Sequence, residues 1–200
     1  MKALDRILQR WRIAKVRPYI PKGARVLDVG CADGALFKQL RGRIKEGVGI
    51  DPGLNRSVDM DHCKLIAGWF PQDLSDDRTY DVITMLAVLE HVPPEQQPQL
   101  AMACVRFLAP GGYLIITVPS PMVDWILRLL KVMRLIDGMS LEQHYGFDPR
   151  QTPAIFSVKG IALVKAMKFQ FGLNNLYVFR KSDVESINQS VISQLPNYAR

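Results

Sequence analysis

Two segments of the chain are apolar almost without interruption: Tyr80-Asp81-Val82-Ile83-Thr84-Met85-Leu86 and Tyr113-Leu114-Ile115-Ile116-Thr117-Val118. Such runs predict strands covered on both faces. Shorter runs predict strands at 25–29, 46–50 and 64–67. Between them, apolar residues recur at helical spacing over 34–42 and 94–108, the second with Leu100, Ala101, Cys104, Val105 and Leu108 on one face. A short helix is expected near 54–60 and a turn at Pro110-Gly111-Gly112. Residues 2–17 predict a basic amphipathic helix. Leu4, Ile7, Leu8, Trp11, Ala14 and Val16 lie among Lys2, Arg6, Arg10, Arg12, Lys15 and Arg17, and Pro18 and Pro21 end it. It is expected to cap one edge of the domain. Near the C-terminal end, a helix is expected near 150–157. Strands at 161–171 and 174–181, around Gly172-Leu173-Asn174-Asn175, read as a hairpin.

Alternation of strand and helix implies an α/β fold with a parallel sheet and right-handed crossovers. The alternation breaks at 121–137. There Asp124, Arg128, Lys131, Arg134 and Asp137 make one polar face, and Trp125, Ile126, Leu129, Leu130, Val132, Met133 and Ile136 cover the rest. This amphipathic helix follows the tip of a sheet strand, where open α/β sheets bind ligands. It is expected to cover a substrate or pack on the core, and its basic face and Trp125 also suit peripheral membrane contact.

Composition narrows the class. The chain has 200 residues, 48% of them hydrophobic, with mean hydropathy near zero, as a globular α/β domain requires. No apolar run reaches the roughly 18 residues of a membrane span, and no signal-peptide pattern opens the chain. Cys31, Cys63 and Cys104 form no Cys-x-x-Cys pair. They read as ordinary buried or half-buried thiols in a reducing, cytoplasmic setting. The net charge of +7 comes from scattered cations and is read mainly as a solubility device.

The chemistry centres on Val26-Leu27-Asp28-Val29-Gly30-Cys31-Ala32-Asp33-Gly34-Ala35-Leu36-Phe37. A strand running into a tight glycine turn and a helix is the nucleotide cradle of doubly wound sheets. Asp51, ending Gly47-Val48-Gly49-Ile50-Asp51, stands where an acid at the next strand tip would meet a ribose. The dinucleotide fingerprint Gly-x-Gly-x-x-Gly is not met, because Gly30, Ala32 and Ala35 would fill its three places. An NAD-dependent oxidoreductase is therefore disfavoured.

The spacing Asp28-x-Gly30-x-Ala32-x-Gly34 resembles the first motif of class I S-adenosylmethionine-dependent methyltransferases, which usually carry glycine at the place of Ala32. Three further stretches are similar to that family's motifs and follow in its order: Tyr80-Asp81-Val82-Ile83, Val88-Leu89-Glu90-His91-Val92-Pro93 and Leu108-Ala109-Pro110-Gly111-Gly112-Tyr113-Leu114. The resemblance covers about 22–181. It implies a Rossmann-like, three-layer α/β/α fold with a mostly parallel seven-stranded sheet of order 3-2-1-4-5-7-6, last strand antiparallel. It implies a single methyltransferase domain over 1–200: N-terminal helix 1–21, cofactor-binding half 22–118, substrate cover 119–158, hairpin 159–181, and a loosely held tail 182–200.

By the same resemblance the cofactor is S-adenosylmethionine. Asp28, Gly30, Cys31, Ala32 and Gly34 would line its methionine end, Asp28 offsetting the ammonium. Asp51 would take both ribose hydroxyls. Pro52 and the loop Gly68-Trp69-Phe70 would enclose the adenine, and Met85-Leu86 would touch the methionine moiety. Many relatives carry Asp at the place of Trp69, so Phe70, a backbone acceptor or Asp73 would have to serve. Trp69 and Phe70 could instead plug the core under the loop.

Methyl transfer needs alignment above all, and a base only for a hydroxyl or protonated amine. His144, beside Tyr145, is the first candidate base and His91 the second; His62 reads as an inert surface residue. Related O-methyltransferases with Glu-x-x-Glu-His at this place bind a metal, but Ala87 replaces the first acid, so no metal is expected. The expected activity is methyl transfer to a small-molecule or lipid-like acceptor, more readily at oxygen, with no DNA partner. A catalytically silent adaptor and an RNA methyltransferase are the alternatives. The second is disfavoured because no RNA-binding module or Asn/Asp-Pro-Pro-Tyr motif is present.

Overall fold

The computed structural model describes residues 3–75, 77–120 and 147–183. In chain order the elements are helix α1 (Ala3–Val16), strand β1 (Arg25–Val29), helix α2 (Ala35–Gln39), strands β2 (Glu46–Asp51), β3 (Val58–Met60), β4 (Cys63–Ala67) and β5 (Tyr80–Leu86), helix α3 (Gln97–Phe107), strand β6 (Leu108–Pro119), helix α4 (Thr152–Ile155) and strands β7 (Ile161–Phe169) and β8 (Asn174–Lys181). They build one eight-stranded sheet of order β3-β4-β2-β1-β5-β6-β8-β7.

Without β3 this is the expected seven-strand order, with β8 antiparallel to both its neighbours. The eighth strand corrects the sequence reading, which expected a short helix near 54–60. Val58 and Met60 alternate at the period of a strand. Together with Asp59 they pair with β4, Val58 opposite Leu65 and Met60 opposite Cys63. His62 turns this hairpin at φ 58°, exposed, with its Nε2 3.2 Å from the Asp61 carboxylate. Two other boundaries also move. Helix α2 ends at Gln39, and β6 begins at Leu108, taking in the expected turn at 110–112. That turn survives as a break in pairing: Leu108 lies opposite Tyr80, but Tyr113 lies opposite Val82.

The sheet separates two apolar layers, because β5 and the second half of β6 are buried on both faces. On one side Leu100, Ala101, Cys104 and Phe107 of α3 and Phe156 beyond α4 pack on Leu27, Ile83, Met85, Leu114 and Phe179. On the other, Ile13 and Val16 of α1 and Leu36, Phe37 and Leu40 at α2 pack on Val26, Val82, Ile115 and Val178. The result is the α/β/α sandwich. Lys181 ties the hairpin to the first layer: its Nζ donates to the carbonyls of Val105 and Leu108 at 2.7 and 2.6 Å, a cation on the negative end of α3.

No helix of the described residues is long and apolar enough to cross a membrane. The expected helix at 121–137, His144, Tyr145 and the tail from 184 onward lie outside the described residues.

Candidate active site

The carboxyl ends of β1, β2, β4 and β5 meet at one end of the sheet, and three loops leave there. The first, after β1, runs through Gly30, Ala32 and Gly34 at φ 75°, 45° and 71°. Its first residue must be glycine twice over. Besides the left-handed backbone, a Cβ at Gly30 would stand 2.3 Å from Cγ2 of Val88, on the segment after β5. Gly30→Val is expected to lower stability by about 3 kcal/mol or more, read as a fall in Tm; an unchanged Tm would show that Val88 moves aside freely. Ala32, at the place of a glycine in the motif that this turn resembles, adopts the left-handed conformation despite its Cβ, at a cost of about 1–2 kcal/mol.

Asp51 helps to hold that strained turn. Its Oδ2 accepts the Ala32 N–H at 2.8 Å and its Oδ1 accepts the Gly53 N–H at 2.7 Å, while its backbone carbonyl accepts the Gly68 N–H at 3.2 Å. One residue at the tip of β2 thus joins all three loops. Its carboxylate is half-buried, and each oxygen keeps a further lone pair for a donor from outside.

Asp28 is only 3% exposed and takes the Thr84 hydroxyl on Oδ1 at 2.6 Å. Burial pushes its carboxyl up to about 7, the Thr84 hydrogen bond opposes the rise, and the negative charge of Asp51 adds to it. Thr84 is a polar residue in an otherwise apolar stretch of β5, directly opposite Asp28 in the pairing register. That break in the run was the available sequence signal for this contact.

Other expected residues divide. Cys31 turns its thiol under β2, where a Cβ on Gly49 would meet its Sγ at 2.6 Å. Burial, helped by the charges of Asp28 and Asp51, raises that thiol's pKa strongly, so its backbone is what it brings to the loop. Met85 is wholly buried in the first layer, and Leu86, half-buried, packs in the second. In the third loop Trp69 is 67% exposed, so it does not plug the core. Phe70 does pack there, its ring tilted against Phe107 at 5.6 Å between centroids. Asp73 accepts the Trp69 N–H at 2.7 Å and so shapes the loop. His91 is half-buried on the turn Leu89–His91 after β5.

One pair went unread in the sequence. Arg12 looked like one more solvent-facing cation of α1, but the fold buries its guanidinium. Burial lowers its pKa and the charge of Glu90 opposes that. Glu90 is itself buried, on the turn after β5. A cation and an acid 78 positions apart in the sequence carry no local pattern that would have paired them.

A mostly parallel sheet of this order, with an acid-tipped second strand gripping a left-handed glycine turn, is the nucleotide-binding architecture of class I methyltransferases. Residues 2–164 match the family model described as a methyltransferase domain. The chain belongs to that family, the class I S-adenosylmethionine-dependent methyltransferases. Among curated relatives it is 33% identical over 101 residues to a ubiquinone biosynthesis O-methyltransferase of Pseudomonas entomophila, covering 45% of this chain and 42% of that protein. It is 32% identical over 106 residues to the protein of the same name from Marinobacter nauticus, covering 48% and 44%. The matched stretches thus span less than half the length of these relatives. Among solved structures it resembles the N-methyltransferase NodS of Bradyrhizobium japonicum at TM-score 0.63 and 18% identity, over 88% of this chain and 97% of that one. The same protein in complex with S-adenosyl-L-homocysteine gives TM-score 0.57 at 19% identity, over 88% and 86%. These structures speak for the fold.

The family's cofactor is S-adenosylmethionine, and the loops fit it on two observations. The Gly30 turn presents bare backbone at the strand tips, since a Cβ there would strike Val88. Among the described residues, Asp28 and Asp51 place two carboxyls at the cradle without a basic side chain hydrogen-bonded to either, as suits a ligand bearing an ammonium and vicinal hydroxyls.

Proposed function

We propose that the chain transfers the methyl group of S-adenosylmethionine to a hydroxyl of a small or lipid-like acceptor. The observation that carries the reading is the three-loop junction at Asp51. The likeness to ubiquinone biosynthesis O-methyltransferases supports the choice of oxygen and of an apolar, ring-bearing acceptor. The cofactor supplies a methyl group already activated on a sulfonium.

The chain's own residues then bind and align. Asp51 takes the ribose hydroxyls, a bidentate acceptor for two vicinal donors. Asp28, with Gly30 through Gly34, takes the methionine end, where a ligand ammonium supplies the counter-charge that the buried carboxyl lacks. Pro52, Gly68 and the exposed Trp69 border the adenine; Phe70 supports that loop from the core side. Leu86 borders the methionine moiety with Met85 behind it. His144 or His91 takes the proton of the hydroxyl.

The test is incubation of the purified chain with S-adenosylmethionine and a polyprenylated catechol, followed by mass spectrometry. Gain of one methyl group on oxygen is expected. Binding of the cofactor with no methylated product from this or any hydroxylated lipid extract would favour the catalytically silent adaptor.

A further inference from the structure

The turn between β7 and β8 lies at the same end of the sheet as the Gly30 loop, because β8 runs antiparallel to β6. It carries a feature that hairpin chemistry does not call for. Gln170 and Phe171 both adopt left-handed backbone, at φ 51° and 56°, ahead of Gly172 at 84°. Turns of this kind favour Gly, Asn and Asp at such positions. Here two larger residues accept the strain, and the result is a phenylalanine 94% exposed at the tip. The turn is rigidly held. Gln170 is buried, donates to the Leu8 carbonyl of α1 at 2.9 Å, and accepts from Asn174 at 2.5 Å. Phe171 stands edge-on to Trp11 of α1, 5.6 Å between centroids.

Trp11 is itself 40% exposed, and Ile7, one turn earlier on the same helix face, is 58% exposed. Arg6, Arg10 and Arg17 are exposed along α1 and just beyond it, and Lys168 is exposed before the turn. The charge is mostly of one sign over both elements, Asp5 being the one acid of α1. Residues 6–27 hold seven Lys and Arg and no Asp or Glu; residues 158–181 hold five and none. Of these cations, Arg6, Arg10 and Lys168 are exposed on the elements that carry the aromatic knob, whereas Arg180 and Lys181 stand at the far end of β8.

We propose that this rim, Ile7, Trp11 and Phe171 ringed by Arg6, Arg10 and Lys168, docks on an anionic lipid bilayer. The apolar tips enter the boundary between headgroups and acyl chains, and the cations lie at the headgroup phosphates. Ile7 has no part to play on a nucleic acid, where bases are stacked on aromatic or guanidinium planes. A second copy of this chain would meet the same positive field, and Lys165 and Lys168 on the open edge of β7 oppose strand-to-strand pairing. Docked in this way, the cofactor end of the sheet lies at the membrane, where an apolar acceptor resides. This rim lies outside the cradle, so its docking does not depend on which acceptor is methylated.

Sedimentation with vesicles of phosphatidylcholine alone, or mixed with phosphatidylglycerol, tests it. The chain is expected to bind the mixed vesicles and to leave them in high salt. Neutralising cations by Arg6→Gln and Arg10→Gln should weaken binding about fivefold each, and Phe171→Ser by about tenfold or more. Since Phe171 lies almost wholly in solvent, Phe171→Ser should keep its Tm and its affinity for S-adenosylhomocysteine. Equal binding to the two kinds of vesicle, or binding unchanged in folded Phe171→Ser, would overturn the proposal. So would capture of single-stranded RNA without vesicle binding, or self-association through this rim without it.

Discussion

Asp51→Ala is expected to weaken binding of S-adenosylhomocysteine by about a hundredfold or more. Two effects add. Hydrogen bonds to a charged acceptor contribute roughly 1.5–3 kcal/mol each, and in the proposed site Asp51 accepts from two ribose hydroxyls. The same carboxylate also holds the Ala32 and Gly53 N–H groups at 2.8 and 2.7 Å. Without it the left-handed conformation of Ala32 loses its partner and the cradle loosens. Asp51→Asn separates the two parts. Its amide oxygen can keep one backbone N–H, so the turn should hold better, while the charge is lost. An intermediate loss, about tenfold, is expected by calorimetric titration. If Asp51→Ala and Asp51→Asn both bind as the unaltered chain does, the ribose reading fails even though the loop geometry stands.

Asp28→Asn is expected to alter stability and binding in opposite directions. The folded carboxyl titrates at about 7, against 3.8 when free, so the folded chain holds its proton more tightly than the unfolded chain does. The resulting stabilisation is present below pH ~4 and lost as pH rises to about 7. That difference corresponds to roughly 4 kcal/mol of charge burial above neutrality. Asparagine carries no charge to bury, so the variant's Tm should stay flat from pH 5 to pH 8 where that of the unaltered chain falls. At pH 8 the variant should be the more stable of the two, less about 1–3 kcal/mol for an amide N–H left unpaired beside Thr84. Its affinity for a ligand bearing an ammonium should drop, since the offsetting charge is gone. Parallel Tm curves would show that the carboxyl is not perturbed by burial. A flattened curve with undiminished affinity would place the ammonium elsewhere.

Most of the frame was legible because strands buried on both faces cannot hide. The run Tyr80–Leu86 matches β5 residue for residue. The glycine turn and Asp51 were legible for a related reason: a left-handed backbone and an acid at a strand tip each need particular residue types. What stayed unread depends on packing between distant segments. Val58 and Met60 were too few to separate a strand from a short helix, and only pairing with β4 decides it. Phe70 and Trp69 are adjacent aromatics in one loop, yet one meets Phe107 and the other meets solvent. Arg12 and Glu90 come together only because α1 folds back over the sheet. The basic character of α1 was plain, but its alignment with the acid-free β7–β8 hairpin required that turn to be placed beside it.

The three loops joined at Asp51 are proposed to hold an adenosine attached to an amino acid rather than a dinucleotide. Parallel calorimetric titrations of the intact chain with S-adenosylhomocysteine and with NADH separate the two ligands. Saturable binding of the first at one site per chain, with no heat from the second, is predicted. Saturable binding of NADH with none of S-adenosylhomocysteine would contradict it.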